Sequence, residues 1–154
     1  MPKPLISLQG VNKWYGSGAG RQQVLYEVDV DIDEGQLIAI IGTSGSGKST
    51  LLNIVGGLDR QYTGGVDVLG MDYNKLSDRR LSRLRNQKIG FVFQAFNLLD
   101  HLTCWENVAL PSFFGKRQRD TKAHAAELLD RVGLKDKIDA RPGNLSGGQK
   151  QRVA

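Results

Sequence analysis

The residues Leu37-Ile38-Ala39-Ile40-Ile41-Gly42-Thr43-Ser44-Gly45-Ser46-Gly47-Lys48-Ser49-Thr50-Leu51-Leu52 decide how this chain is read. Gly42–Ser49 satisfies G-x-x-x-x-G-K-[ST] at every fixed position. The apolar run Leu37–Ile41 ahead of it is of strand length and predicts a strand buried on both faces. Lys48–Val55 predicts a helix, stopped by Gly56-Gly57. That order suits a polyphosphate. Small residues let successive backbone N–H groups turn inward, and the helix N-terminus adds its dipole. Lys48 adds a movable positive charge, and the Ser49 hydroxyl can ligate Mg²⁺. The competing reading is a glycine-rich turn that merely caps a helix. By itself the motif points to a nucleoside triphosphate and leaves the base and the reaction open.

Working outward, Leu5–Tyr15 predicts a strand. Val28, Val30 and Ile32, alternating with Asp29, Asp31 and Asp33, predict another with one wet face. Thr63-Gly64-Gly65 reads as a turn before a strand Val66–Leu69, and Ser77 caps a helix over Asp78–Asn86. Ile89–Phe93 reads as another apolar strand. Thr103 and Glu106 have capping-box spacing, opening a helix expected to stop before Pro111. Ala125, Leu128, Leu129 and Val132 form one helical face closed by Gly133. A further helix begins near Gly147 or Gly148.

The 154 residues suffice for one ordinary domain. No apolar run approaches the roughly 20 residues of a membrane helix, and the N-terminus carries no apolar export core. The single Cys104 and the two histidines, His101 and His124, exclude an internal disulfide and make a zinc site improbable. Cys104 reads as a small buried residue, the histidines as surface, and Glu106 as a cap. Residues 1–77 carry a net charge of −2 and residues 78–154 a net +7. A basic half is compatible with nucleic acid or an anionic surface, but a solvated helical face is the favoured reading.

A second glycine device, Leu145-Ser146-Gly147-Gly148-Gln149, again exposes backbone N–H groups at a helix start. Gly90-Phe91-Val92-Phe93-Gln94 ends in a glutamine, and Tyr15 is an aromatic shortly before the phosphate loop, with Trp14 as competitor. Together these motifs resemble, over the whole chain, the ABC-type ATPases. Leu145–Gln149 looks like their signature motif, Gln94 like their Q-loop, and Tyr15 like the residue that stacks on adenine. Gly56-Gly57-Leu58-Asp59, Leu84–Phe91 and Glu106–Pro111 are similar to the branch serving lipoprotein release and macrolide export.

The resemblance implies an α/β phosphate-loop fold, with an N-terminal antiparallel β-subdomain, an α-helical subdomain and an incomplete core sheet. Its expected divisions are 1–94 for the core, 95–145 for the helical part and 145–154 for the signature and its helix. It implies an ATP hydrolase coupled to export or release through a separate membrane subunit, with ATP and Mg²⁺ as cofactors. Tyr15, Gly42, Thr43, Ser44, Gly45, Ser46, Gly47, Lys48, Ser49 and Thr50 would hold one ATP. Leu145, Ser146, Gly147, Gly148 and Gln149 would reach a second ATP across a head-to-tail dimer. Ser49 and Gln94 would face the metal, and Gln94 the attacking water. The permease is the other implied partner, nucleic acid is not expected, and the location is the cytoplasmic face of the cell membrane. Phe96, Leu98 and Leu99 are either a partner surface or helical-subdomain core.

The family pattern continues with an apolar strand ending Asp-Glu and a switch histidine, and neither follows Gln149 in this sequence. The chain therefore reads as a truncated ATPase, without its general base and inactive alone. A soluble ABC protein acting on nucleic acid is the alternative. A small phosphate-loop kinase or GTPase fits less well, because it would not need Leu145–Gln149 or Gln94.

Overall fold

A computed structural model of the chain describes residues 3–114 and 121–154. They form two compact units, Met1–Arg85 and Asn86–Ala154.

The first unit is built on an antiparallel sheet. Strand β1 (Ile6–Tyr15) lies between β2 (Gln22–Ile32) and β3 (Thr63–Val68), with the two-residue β4 (Met71–Asp72) outermost. Ile6 pairs with Ile32 and Val68, and Leu8 with Val30 and Val66, so one face is apolar. Ser7, paired with Asp31 and Asp67, lies on the other. Helix α1 (Lys48–Val55) adds Ile54 to the apolar side, in a core with Leu8, Val11, Leu25, Val66, Val68, Tyr73, Leu81 and Leu84. The Tyr73 hydroxyl donates to the Val55 carbonyl (2.9 Å) at the end of α1, and burial pushes its pKa up to about 12.

A bulge in β1 changes which residues face the core. The register shifts between Leu8 and Val11, and the Gly10 N–H leaves the ladder to bond the Asp29 carboxylate (2.7 Å). Before the bulge the even-numbered Ile6 and Leu8 point inward, and after it Val11 and Lys13 are the buried positions. One extra residue reverses the alternation.

Gly64 sits against this bulge with φ +97°, where an added Cβ would lie 2.3 Å from the Gly10 carbonyl oxygen. Gly64→Ala should destabilise the protein by about 2 kcal/mol or more, from left-handed strain plus the backbone clash. Chemical denaturation measures it, and a change below about 0.5 kcal/mol would mean the sheet relaxes freely there.

Helix α2 covers Asp78–Lys88, and its Leu81 and Leu84 belong to the first unit's core. The second unit packs α3 (Cys104–Phe113), α4 (Thr121–Arg131) and α5 (Gly147–Val153) around Cys104, Leu129, Leu134, Leu145 and Val153. The capping box of α3 forms as expected. The Thr103 backbone N–H and hydroxyl each donate to Glu106 Oε2 at 2.7 Å, and the Glu106 N–H returns a bond to Thr103 Oγ1. These bonds hold the Glu106 carboxyl below its usual value of 4.5, the backbone bond contributing most. A depressed carboxyl stabilises fully above its unfolded value, and the contribution is lost as pH falls through the lower folded value. Glu106→Gln should therefore be less stable than the parent at neutral pH and equal to it in strong acid. Denaturation at both pH values tests this, and a pH-independent difference would remove charge from the account.

Four expectations are corrected. Leu37–Ile41 is not a buried strand: Leu37 is 98% and Ile41 90% exposed. Ile89–Phe93 is likewise unpaired, with Val92 79% exposed and the Phe91 and Phe93 rings stacked on each other. A strand exists only where a neighbour completes its ladder, and no described strand lies beside either run. Thr63-Gly64-Gly65 is part of β3 and not a turn, because the β1 bulge leaves room only for glycine opposite it. Helix α3 continues through Pro111 to Phe113. The ring removes one N–H, while the Pro111 carbonyl accepts from Asn86 Nδ2 (2.8 Å) and the Ser112 hydroxyl bonds the Ala109 carbonyl (2.7 Å).

Candidate functional site

The loop Gly42–Gly47 enters α1 through Gly47, the helix N-cap, at φ +90°. A Cβ at Gly47 would sit 2.9 Å from both the Val24 carbonyl oxygen and Leu25 Cδ2. Strand β2 thus backs the loop so closely that only glycine fits. With no side chain at the cap, no side-chain hydrogen bond closes the start of α1. The first N–H groups of a helix have no intrahelical acceptor, so these donors remain for a ligand. They border an open cavity of about 220 Å³ lined by Val24 and Ser44–Thr50.

Lys48 is the one cation in that lining, which holds no carboxylate. Its ammonium donates to the Gly42 carbonyl (3.0 Å), the Thr43 carbonyl (2.6 Å) and the Ser46 hydroxyl (3.3 Å), folding the loop back over itself. Ser46 N–H closes the same turn on the Thr43 carbonyl (3.3 Å). Ser49 lies in the lining with Thr50 behind it, buried. The described residues hold no cluster of three or more His, Cys, Asp or Glu that could ligate a metal. A lining with hydroxyls at Ser44, Ser46, Ser49 and Thr50 and no carboxylate would suit Mg²⁺ that keeps several waters and takes phosphate oxygens, and does not fit a dedicated metal cage.

The fold brings Tyr15 to this loop. Its hydroxyl is 3.3 Å from Thr50 Oγ1 in the first turn of α1, and its ring is 46% exposed. Trp14, on the opposite parity of β1, pairs with the Arg21 guanidinium, 4.7 Å from its ring centre. Sequence reasoning missed a partner of Tyr15, and the residue that holds that partner. The Lys13 ammonium stands 4.8 Å from the Tyr15 ring centre and forms an ion pair with Asp59 (2.7 Å). The K-x-Y spacing was readable, but the bulge that buries Lys13 was not.

The other predicted site residues belong to the second unit. Gln94 lies in an exposed turn after the unpaired apolar run. Leu145 is anchored in that unit's core, 7% exposed. Ser146 caps α5: its hydroxyl accepts from the Gln149 N–H (3.3 Å), and Gln149 Oε1 accepts from the Ser146 N–H (2.8 Å). Gly147 and Gly148 follow, and a Cβ on either would meet nothing within 4 Å. Nothing in the packing of the described residues demands glycine at these two positions. His101 and His124 are exposed, Leu98 packs on the second unit's core, and Leu99 is 41% exposed. Cys104 is fully buried, and burial pushes its thiol pKa up. Asn107, not singled out by sequence, closes the loop before α3 with bonds to the backbone of Leu99, Leu102 and Thr103.

The pattern of the ABC transporter family matches residues 25–154. A macrolide export ATP-binding/permease protein, MacB, from Mannheimia succiniciproducens is 47% identical over 97% of the chain, which spans 24% of that protein. A lipoprotein-releasing system ATP-binding protein, LolD, from Alcanivorax borkumensis is 44% identical over 98% of the chain, which spans 67% of it. Among solved structures, a dimeric ATP-binding cassette in a post-hydrolysis state, bound to ADP and Pi, superposes with a TM-score of 0.88 at 42% identity, covering 96% of this chain and 66% of that one. The chain thus spans about a quarter of the macrolide export protein and about two thirds of the other two.

Proposed function

This chain belongs to the ABC transporter family, and from that premise we propose that it is the nucleotide-binding part of an ATPase that drives export or release through a membrane permease. The observation that carries this is the uncapped start of α1, facing a cavity whose only charge is Lys48. That cradle suits the β- and γ-phosphates of ATP. Lys48 would exchange the Gly42 and Thr43 carbonyls for phosphate oxygens, Ser49 would face Mg²⁺, and Tyr15 would carry the base. Bound at Ser49, Mg²⁺ would neutralise phosphate charge.

Ser146, Gly147 and Gly148 would approach the phosphates held by a second copy, with the α5 N-terminus pointed at them. The free space at both glycines supports this, because a ligand from outside the chain is what would need it. Gln94 would orient water near the metal. The substrate and the permease would be those of the macrolide-export and lipoprotein-release branch, which the two named relatives support. No helix among the described residues is long and apolar enough to cross a membrane. Its place would be the cytoplasmic face, docked on a membrane partner.

The test is ATP binding and turnover by the full-length protein with and without its permease, against binding of nucleic acid at rising salt. Lys48-dependent ATP binding is expected. Steeply salt-sensitive nucleic-acid binding without it would sink the transport reading. A second expectation concerns these 154 residues alone, which hold no Asp-Glu pair after Gln149. They should not turn over ATP, since no carboxylate lines the phosphate cavity to activate water. Lys48-dependent hydrolysis at about 1 s⁻¹ or faster would overturn that.

A further inference from the structure

We propose that Lys13, held by Asp59, is a positioning residue that fixes the Tyr15 ring for stacking on a nucleotide base. The inference rests on the reading of Tyr15 as the base platform and adds to it a residue pair and a cause.

Lys13 and Tyr15 are two apart on β1, beyond the bulge, and both reach toward α1. Lys13 is only 1% exposed, and Asp59 holds its ammonium with both oxygens, at 2.8 and 2.7 Å. Asp59 is itself fastened. Its N–H bonds the Asn53 carbonyl of α1 (3.1 Å), and its Oδ1 accepts from the Gln61 N–H (2.8 Å). The ammonium therefore cannot follow the ring: the ring must come to it.

The ammonium occupies one face of the Tyr15 ring, 4.8 Å from its centre. The hydroxyl is tied to Thr50, one residue beyond Ser49. With one face and the para position held, the exposed face is the one left for a flat partner. Two links thus join the end of β1 to α1, Tyr15–Thr50 near its first turn and Lys13–Asp59 just past its last. They fix the platform relative to the phosphate loop, so that a base and its phosphates are met at a set spacing. A cation on the buried face also draws electron density from the ring, which favours stacking on an electron-rich purine. Trp14 has the exposed Arg21 over it, and among the described residues no hydrogen bond ties it to α1.

A buried ion pair could serve stability alone, so the readout must separate base from phosphates. In the full-length protein, affinities for ATP and for inorganic tripolyphosphate are measured for the parent, Tyr15→Leu, Lys13→Gln, and Lys13→Met with Asp59→Asn. The double variant leaves no orphaned carboxylate. Lys13→Gln removes the charge and offers Asp59 a neutral donor on a stem one bond shorter, and it carries the test if the double variant does not fold. Both Lys13 variants should weaken ATP about threefold to tenfold and leave tripolyphosphate within about twofold. Lys13→Arg, which keeps a cation against the ring, should restore much of the loss. If Tyr15→Leu weakens ATP while the Lys13 variants do not, this inference fails and the platform reading stands. If Tyr15→Leu leaves ATP binding unchanged, the platform reading fails and the inference with it. Equal loss for ATP and tripolyphosphate would make the pair a structural strut and overturn the proposal.

Discussion

Lys48→Met should weaken ATP binding by about 100-fold, while the protein unfolds within about 0.5 kcal/mol of the parent. The two halves of this expectation have separate causes. The ammonium is the only charge in the lining of the loop cavity, and a charge-assisted bond to phosphate is worth about 1.5–3 kcal/mol, or roughly 10- to 150-fold. A Met stem of similar length fills the same space and offers no donor. In the fold, by contrast, Lys48 bonds exposed loop carbonyls that water can satisfy equally well. Calorimetric titration and denaturation together test it. ATP affinity within about threefold of the parent would mean that the loop is only a helix cap.

The second large effect is expected at Gly148→Ala, with opposite signs for stability and activity. A Cβ there meets nothing, and alanine suits a helix better than glycine, so stability should rise by up to about 1 kcal/mol. ATP turnover and ATP-dependent dimerisation of the full-length protein should fall by about 100-fold or more, because on the proposed reading the added methyl would stand where another copy's phosphate would have to come within hydrogen-bond range of the backbone. A variant that is more stable and equally active would remove Gly147 and Gly148 from the site. Gly64→Ala is the useful contrast, since there the clash is internal and stability alone should fall.

What could be read from sequence was local. Lys48–Val55 begins and ends in the structure where its glycines say it should, and the capping box at Thr103/Glu106 closes; a second closes at Ser146/Gln149, where only a helix start was expected. Each depends on residues three or four apart. The Gly42–Ser49 loop was legible for the same reason. What escaped depends on distant partners. Leu37–Ile41 has a strand's composition, but composition cannot supply a neighbour. The inward turn of Lys13 depends on a bulge pinned by Asp29, nineteen residues away. The ties from Tyr15 to Thr50 and from Lys13 to Asp59 span 35 and 46 residues, and no motif announces them.

The exposed run Leu37–Ile41 has a consequence for how the protein is made. On the ribosome it emerges before the residues that follow it, which are added at about 5–20 per second. Until they follow, an uncharged run with three isoleucines is available to any other nascent chain with a free edge. Production at low temperature and low expression rate, or with a holdase present, should therefore raise the yield of dispersed protein.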